Sequence, residues 1–221
     1  MTAEIEGQPL NAIFGFETLG ICDNQELYDK YAPMMQKYKP KWGMGDIIIK
    51  DRTGEGVIND EDRTVIGNSI PRFTFGLNLG FEYKGFDFSC FFQGVGKADG
   101  YVTMEAIQPM GINGARKEHY KESFNPQDPK PGAYFPRILS SDYNYAYMSH
   151  WVQDASYIRL KNLQIGYSFK IKGLNQLRVY ASGENLFTAT KYRTWDPETP
   201  VGARGFYPNV AVYSMGVNLN F

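Results

Sequence analysis

From Arg72 to Gln93 the side chains alternate so regularly that few folds can accept them. Phe73, Phe75, Leu77, Leu79, Phe81 and Tyr83 share one parity, with Thr74, Gly76, Asn78, Gly80 and Glu82 between them. That period of two is a β-strand with one apolar face. Lys84-Gly85 then interrupts the pattern, glycine supplying the positive φ of a tight turn, and it restarts with Phe86, Phe88, Cys90 and Phe92. Pairing Tyr83 with Phe86 sets Phe81 beside Phe88, Leu79 beside Cys90 and Leu77 beside Phe92, so the hairpin carries its own register.

A face so large and aromatic has two homes. A water-soluble sandwich covers it with a second sheet, whereas a membrane barrel turns it to lipid and keeps Thr, Asn, Ser, Gln and Gly inside. The remaining sequence bears on the choice. Residues Ala12–Phe16 form a first strand candidate, and Tyr157–Phe169, Leu177–Gly183 and the run from Ala211 to Phe221 bring the count of spanning strands to about six. The connections alternate between tight (Lys84-Gly85; Lys172 to Gln176) and long (about 23–71, 94–156 and 188–209). Short turns at one end and long loops at the other are the periplasmic and extracellular sides of an outer-membrane barrel. The last strand keeps alternating up to Phe221, as a strand needed for closure would. Single-chain bacterial barrels begin at about eight strands, so the expectation is an all-β, antiparallel segment of a larger transmembrane barrel.

Composition agrees and closes other routes. With 221 residues, 23 Gly, 16 Tyr and 15 Phe, the chain is rich in strands and loops. No apolar run reaches the roughly 20 residues of a membrane helix. A formal net charge of −1 with scattered Lys and Arg gives no footprint for nucleic acid. Cys22 and Cys90 read as two small hydrophobes. His119 and His150, without a nucleophile or ligand cluster nearby, read as surface residues, and no nucleophile elbow, HExxH or phosphate loop marks an enzyme. Asp196 and Glu198, between prolines, read as a rigid solvated turn rather than as glycosidase carboxylates.

Within the first long loop, Asn24 to Tyr31 reads as a short helix capped by Asp23 or Asn24 and ending before Pro33. Ile47-Ile48-Ile49 then delivers the chain to Asp51–Asp62, which follows the spacing of a twelve-residue calcium loop. Asp51, Thr53, Glu55, Asn59 and Asp62 would offer side-chain oxygens and Val57 a carbonyl, around a turn made by Gly56. The alternative reading of the same residues is a glycine turn tied by Asx-type hydrogen bonds without an ion. Aromatics in the long loops, Trp42, Tyr143, Tyr145, Tyr147, Trp151 and Trp195, could meet a substrate or a lid, or simply pack the loops.

Motifs spread over nearly the whole chain resemble the SusC/RagA type of TonB-dependent outer-membrane transporters. They are Gly45-Asp46-Ile47 ahead of the Asp51–Asp62 loop, Arg63-Thr64-Val65-Ile66-Gly67-Asn68 after it, and Tyr157-Ile158-Arg159-Leu160-Lys161-Asn162 ending in Gly166-Tyr167. Gly183-Glu184-Asn185-Leu186-Phe187, Lys191-Tyr192, Asp196-Pro197-Glu198 and Tyr207-Pro208 before an aromatic last strand complete the likeness. The resemblance implies a C-terminal portion of a barrel of about 22 strands, with a plug and export signal that this sequence does not display. It implies the outer membrane of a Gram-negative bacterium, energy from TonB, a SusD-like surface lipoprotein as lid, and import of oligosaccharides or, in some members, peptides. Phe221 would then belong to the signal read by the barrel-assembly machinery. The competing expectation is a soluble β-sandwich that binds carbohydrate and carries the calcium loop; it requires another sheet over Phe73–Tyr83.

Overall fold

The computed structural model describes residues 2–3, 6–102, 107–109, 114–129, 131–138, 143–173, 175–193, 196–199 and 207–221. These residues form two compact units. The first takes in Met1–Ile70 and Asp99–Gln153, the second Pro71–Ala98, Asp154–Thr199 and the segment ending at Phe221.

The first unit is assembled from short elements. Strands β1 (Thr2–Ala3), β2 (Ala12–Phe16) and β5 (Arg63–Asn68) form one small sheet, and β3 (Thr18–Ile21) pairs with β4 (Ile47–Ile49) in another. Helix α1 (Gln25–Tyr38) begins at Asn24, whose side chain accepts from the Leu27 amide, and buries Ala32 and Met35. It runs through Pro33 instead of ending before it. Pro33 and Asp29 both lie on the exposed face, so the Asp29 carbonyl that proline leaves without a donor can be solvated. Three fully buried isoleucines make β4 a core strand on both faces. The connection expected to be irregular holds β8 (Asp99–Tyr101), α2 (Lys117–Glu122), two short 3-10 turns and β9 (Val152–Asp154).

The second unit is one antiparallel sheet. Its order is β6 (Phe73–Tyr83) at one edge, then β7 (Phe86–Gly96), β10 (Tyr157–Phe169), β11 (Gln176–Thr190) and β12 (Val212–Asn220). The hairpin register is the one its alternation dictates: Tyr83 faces Phe86, Phe81 faces Phe88, Leu79 faces Cys90 and Leu77 faces Phe92. Lys84 and Gly85 have φ of 49° and 87°, the positive values that fit a two-residue turn to twisted strands. Among the described residues this sheet has five strands, not six. The sixth candidate, Ala12–Phe16, is short and buried on both faces, and pairs with β1 and β5 in the first unit.

One irregularity keeps the faces consistent. Leu160 pairs with Phe92 and Asn162 with Phe91, leaving Lys161 as an extra residue. This β-bulge shifts the phase, so Ile158 and Leu160 before it and Leu163, Ile165 and Tyr167 after it all share the side of Phe86, Phe88 and Cys90. The next strand adjusts at Asn185, with φ of 51°. That side of the sheet is apolar from edge to edge and uncovered. Phe73, Phe75, Leu77, Leu79, Phe81 and Tyr83 are 49–65% exposed, and Met215 and Phe221 reach 91% and 84%. A covering sheet, the requirement of the sandwich reading, would have buried them. The opposite side carries Thr74, Asn78, Glu82, Asp87, Ser89, Gln93, Gln164, Ser168, Arg178 and Ser182.

Candidate functional site

On the polar side of the second unit, toward the tight turns, an open cavity of about 930 Å³ is lined by Glu82, Asp87, Gln164, Ser168, Gln176 and Arg178 among others. Arg178 grips Asp87 through two hydrogen bonds, Nε to Oδ2 at 2.8 Å and Nη2 to Oδ1 at 2.6 Å. The pair crosses the intervening strand β10 above Gly166, where any Cβ would collide with both side chains. Glycine there lets two neighbours once removed meet over the backbone.

Toward the long connections the same unit holds a second charged group. Arg159 on β10 is 2% exposed and binds both oxygens of Asp196, at 2.8 and 2.7 Å, and Thr188 Oγ1 at 2.8 Å. Its Nη1 lies 3.1 Å from Glu198, which also receives Lys161 at 2.8 Å and the Tyr157 hydroxyl at 2.8 Å. The Asp196-Pro197-Glu198 turn is therefore anchored to the strand, not solvated. Burial pushes the Glu198 acid up, but Lys161, Tyr157 and Arg159 outweigh it and hold the acid below its ordinary value. A glycosidase acid would need the opposite shift, and Asp196 is already neutralised by Arg159.

In the first unit Asp46, 2% exposed, is the organising residue. Arg137 binds it twice, at 2.8 and 2.6 Å, Asn144 donates to it at 2.9 Å, and so does the Gly43 amide. Asn144 also accepts from the Ile47 amide, while the Trp42 indole and the Tyr143 hydroxyl donate to the Ile47 carbonyl. A carboxylate and a carbonyl thus tie the α1–β4 connection to residues nearly a hundred positions later. Arg137 and Asn144 carry no local sequence signal, and Asp46 stands out solely as part of the Gly45-Asp46-Ile47 motif, with no pointer to its role.

The aromatic candidates are distributed accordingly. Trp42, Tyr143, Tyr145 and Trp151 are buried in this unit, Trp151 completely, with its indole donating to the Asn144 carbonyl. Burial raises the Tyr145 hydroxyl to about 12. Tyr147 is half exposed and packs its ring on Tyr101. Trp195 lies outside the described residues. Trp42 and Tyr143 still present surface to a cavity of about 510 Å³. Neither histidine is an open surface residue: His119 is buried and His150 partly so. His119 is 1% exposed and edge-on to Phe135, and His150 packs on Trp151 with Nε2 2.7 Å from the Tyr134 carbonyl. Cys22 and Cys90 are buried free thiols.

In the Asp51–Asp62 loop, backbone amides supply the partners of both terminal carboxylates. Asp51 accepts from the Gly54 and Gly56 amides, and the fully buried Asp62 accepts from those of Arg52, Thr53 and Asn59. Burial raises the Asp62 acid, and these amides together bring it below its ordinary value. Asn59 caps the following 3-10 turn through the Glu61 amide. Among the described residues no three His, Cys, Asp or Glu side chains converge as a metal site. As arranged, the loop is a hydrogen-bonded turn whose two terminal carboxylates accept backbone amides.

A five-stranded antiparallel sheet, apolar and uncovered on one side, polar on the other, with short turns at one end and long connections at the other, is a stretch of wall from a transmembrane β-barrel. Comparisons with known proteins refine this. No protein-family model matches the sequence. TonB-dependent receptor P3 of Formosa agariphila is 32% identical over 98% of this chain, and TonB-dependent receptor SusC of Bacteroides thetaiotaomicron is 27% identical over 79%. The chain spans 22% and 17% of those two proteins. Among solved structures, the RagAB peptide importer in its open-open state matches 97% of this chain and 23% of its own, with a TM-score of 0.70 at 22% identity. The chain belongs to the SusC/RagA type of TonB-dependent receptors, as a portion of the barrel.

Proposed function

We propose that this chain serves as the C-terminal portion of an outer-membrane transporter that imports oligosaccharides, driven by TonB and working with a SusD-like surface lipoprotein. The observation that carries the reading is the sheet itself. Its apolar side is a lipid-facing band and its polar side, with the Asp87–Arg178 pair and the 930 Å³ cavity, is a lumen for polar solutes. The Asp87–Arg178 pair there is internally neutralised, which suits passage of polar solutes. The relatives named TonB-dependent receptors support dependence on TonB; oligosaccharides as cargo follow from the sequence resemblance, and the peptide importer among the structural neighbours makes peptides the second reading. Phe221, outermost on the apolar side, suits a recognition signal for barrel assembly.

The test is a deletion of the coding gene in the organism that makes the protein, scored by growth on a panel of oligosaccharides and on peptides as sole nutrients. Loss of growth on one class of oligosaccharide, restored by the intact gene only in a strain that keeps TonB, is the expected result. A defect confined to peptides moves the substrate class; unchanged growth throughout refutes the transport reading. In parallel, a spin label at Met215→Cys should be reached by oxygen dissolved in lipid, and one at Ser214→Cys by a water-soluble relaxant.

A further inference from the structure

In the first unit, the cavity of about 510 Å³ lies between the end of α1, the turn that follows it and the turn at Tyr143–Ala146. Its volume falls in the range of small-molecule sites. Tyr38, Pro40, Trp42, Tyr143 and Ala146 give it mostly apolar walls. The rings of Tyr38 and Tyr143 meet at 66° with centroids 6.1 Å apart, forming a corner.

The polar groups of this cavity divide into spent and unspent. The Trp42 indole and the Tyr143 hydroxyl are committed to the Ile47 carbonyl, at 3.0 and 2.7 Å. Asp46 is neutralised by the two-pronged contact from Arg137. The Trp42 amide donates to the Lys39 carbonyl and the Gly43 amide to Asp46, so neither is open to a ligand. Among the described residues, no hydrogen bond engages the Tyr38 hydroxyl and no ion pair engages Lys39 or Lys41, both exposed. Lys39 Nζ lies 5.5 Å over the Tyr38 ring.

We infer that this cavity binds an acidic sugar residue, a pyranose bearing a carboxylate or sulfate, with its ring face against the tyrosine corner and its anion between Lys39 and Lys41. The C–H face of a pyranose is apolar and suits an aromatic wall, and its hydroxyls find the Tyr38 oxygen. Two cations beside an already neutralised carboxylate select a negative group. An extended peptide would pair through backbone groups, and the Trp42 and Gly43 amides at this place are taken. The proposal rests on the oligosaccharide-import reading and narrows its substrate to charged glycans.

The experiment uses the protein extracted from its host's outer membrane in mild detergent, titrated with tri-galacturonate, a sulfated galactose trisaccharide, neutral galactotriose and a tri-glutamate peptide. Binding is read by calorimetry and tryptophan fluorescence. Each exposed lysine should contribute modestly, so one or both anionic sugars should bind at least about fivefold tighter than the neutral one, an advantage that falls in high salt. Lys39→Glu with Lys41→Glu should weaken that binding about tenfold while leaving the neutral sugar unaffected, because both side chains are exposed and the variant should fold. Tyr38→Ala should weaken every sugar. Equal affinity for charged and neutral sugars, insensitivity to the double reversal, or binding of the peptide alone overturns the inference. If the gene deletion abolishes growth on oligosaccharides but the reversal changes no binding, this inference fails and the transport reading stands. If the deletion alters no oligosaccharide growth, the transport reading itself fails.

Discussion

Replacing Arg159 with methionine isolates what the charged group on β10 does. The side chain is 2% exposed and supplies Asp196, itself only 9% exposed, with two hydrogen bonds. Removing one partner of a buried pair costs about 3–5 kcal/mol, because the other charge stays buried and uncompensated. Here the lower end applies, since Glu198 keeps Lys161 and Tyr157 and only Asp196 is orphaned. The loss should be local, because the strand hydrogen bonds of β10 to β7 and β11 do not involve the guanidinium. The amides to watch are Glu198, bonded to Asp196 Oδ1, and Thr199, bonded to the Asp196 carbonyl. A drop of about 3 kcal/mol in the opening free energy speeds their hydrogen exchange by roughly 150-fold, with amides in the middle of β10 unchanged. Asp196→Asn alone should also accelerate exchange, and the double variant should cost about 2–3 kcal/mol less than the two singles added. Unchanged exchange at Glu198 and Thr199, or strictly additive costs, would refute the claim that this pair fastens the turn.

Three further outcomes are expected. Glu198 is held below its ordinary acid value, so its stabilisation is complete above about pH 4.5 and disappears as the pH falls through the lower folded value; a dye at Val210→Cys should stay immobile from pH 8 to 5 and loosen only in acid, and loosening near neutrality would contradict the arrangement. Burial first, then the charges of Asp23 and Asp46, pushes the Cys22 thiol up to about 11, so iodoacetamide at pH 8 should leave it unmodified by mass spectrometry, and modification at the rate of a free peptide thiol would show it is not enclosed. Asp62→Asn should destabilise the protein by about 1–3 kcal/mol in the presence of chelator, since the carboxylate accepts amides with or without an ion; a stabilising response of the unmodified protein to calcium, abolished by this change, would show that the loop rearranges to take the ion.

How far the sequence spoke depended on the range of the interactions. The hairpin was legible to the residue because alternation of period two and a tight turn are local, and one slipped residue would have exposed every wrong side chain. The same logic misled at Ala12–Phe16. Five apolar-rich residues look alike whether they span a membrane or lie inside a small core, and only their neighbours, β1 and β5, decide. Pro33 looked like a helix end because a local rule carries no knowledge of which side faces water. His119, His150 and the Asp196-Pro197-Glu198 turn were expected at the surface for lack of nearby partners. Their partners are Phe135, Trp151 and Arg159, none of which a local pattern could point to. Asp46 is the extreme case, joined to Arg137 and Asn144 across 91 and 98 residues. Of the aromatics chosen for contact, Trp42 and Tyr143 line a cavity while Tyr145 and Trp151 are enclosed, a distinction that residue type alone does not contain.

The extra residue at Lys161 also bears on how such a chain can vary. Deleting it would restore an uninterrupted strand and at once reverse the polarity of whichever half shifted, sending Arg159 toward hydrocarbon or Ile165 and Tyr167 into the polar interior. Substitutions along β10 are graded insults, but a change of length there is all or none. Tolerance to insertion in this protein therefore belongs to its long connections, and the middle of β10 should hold its residue count even where its residue identities drift.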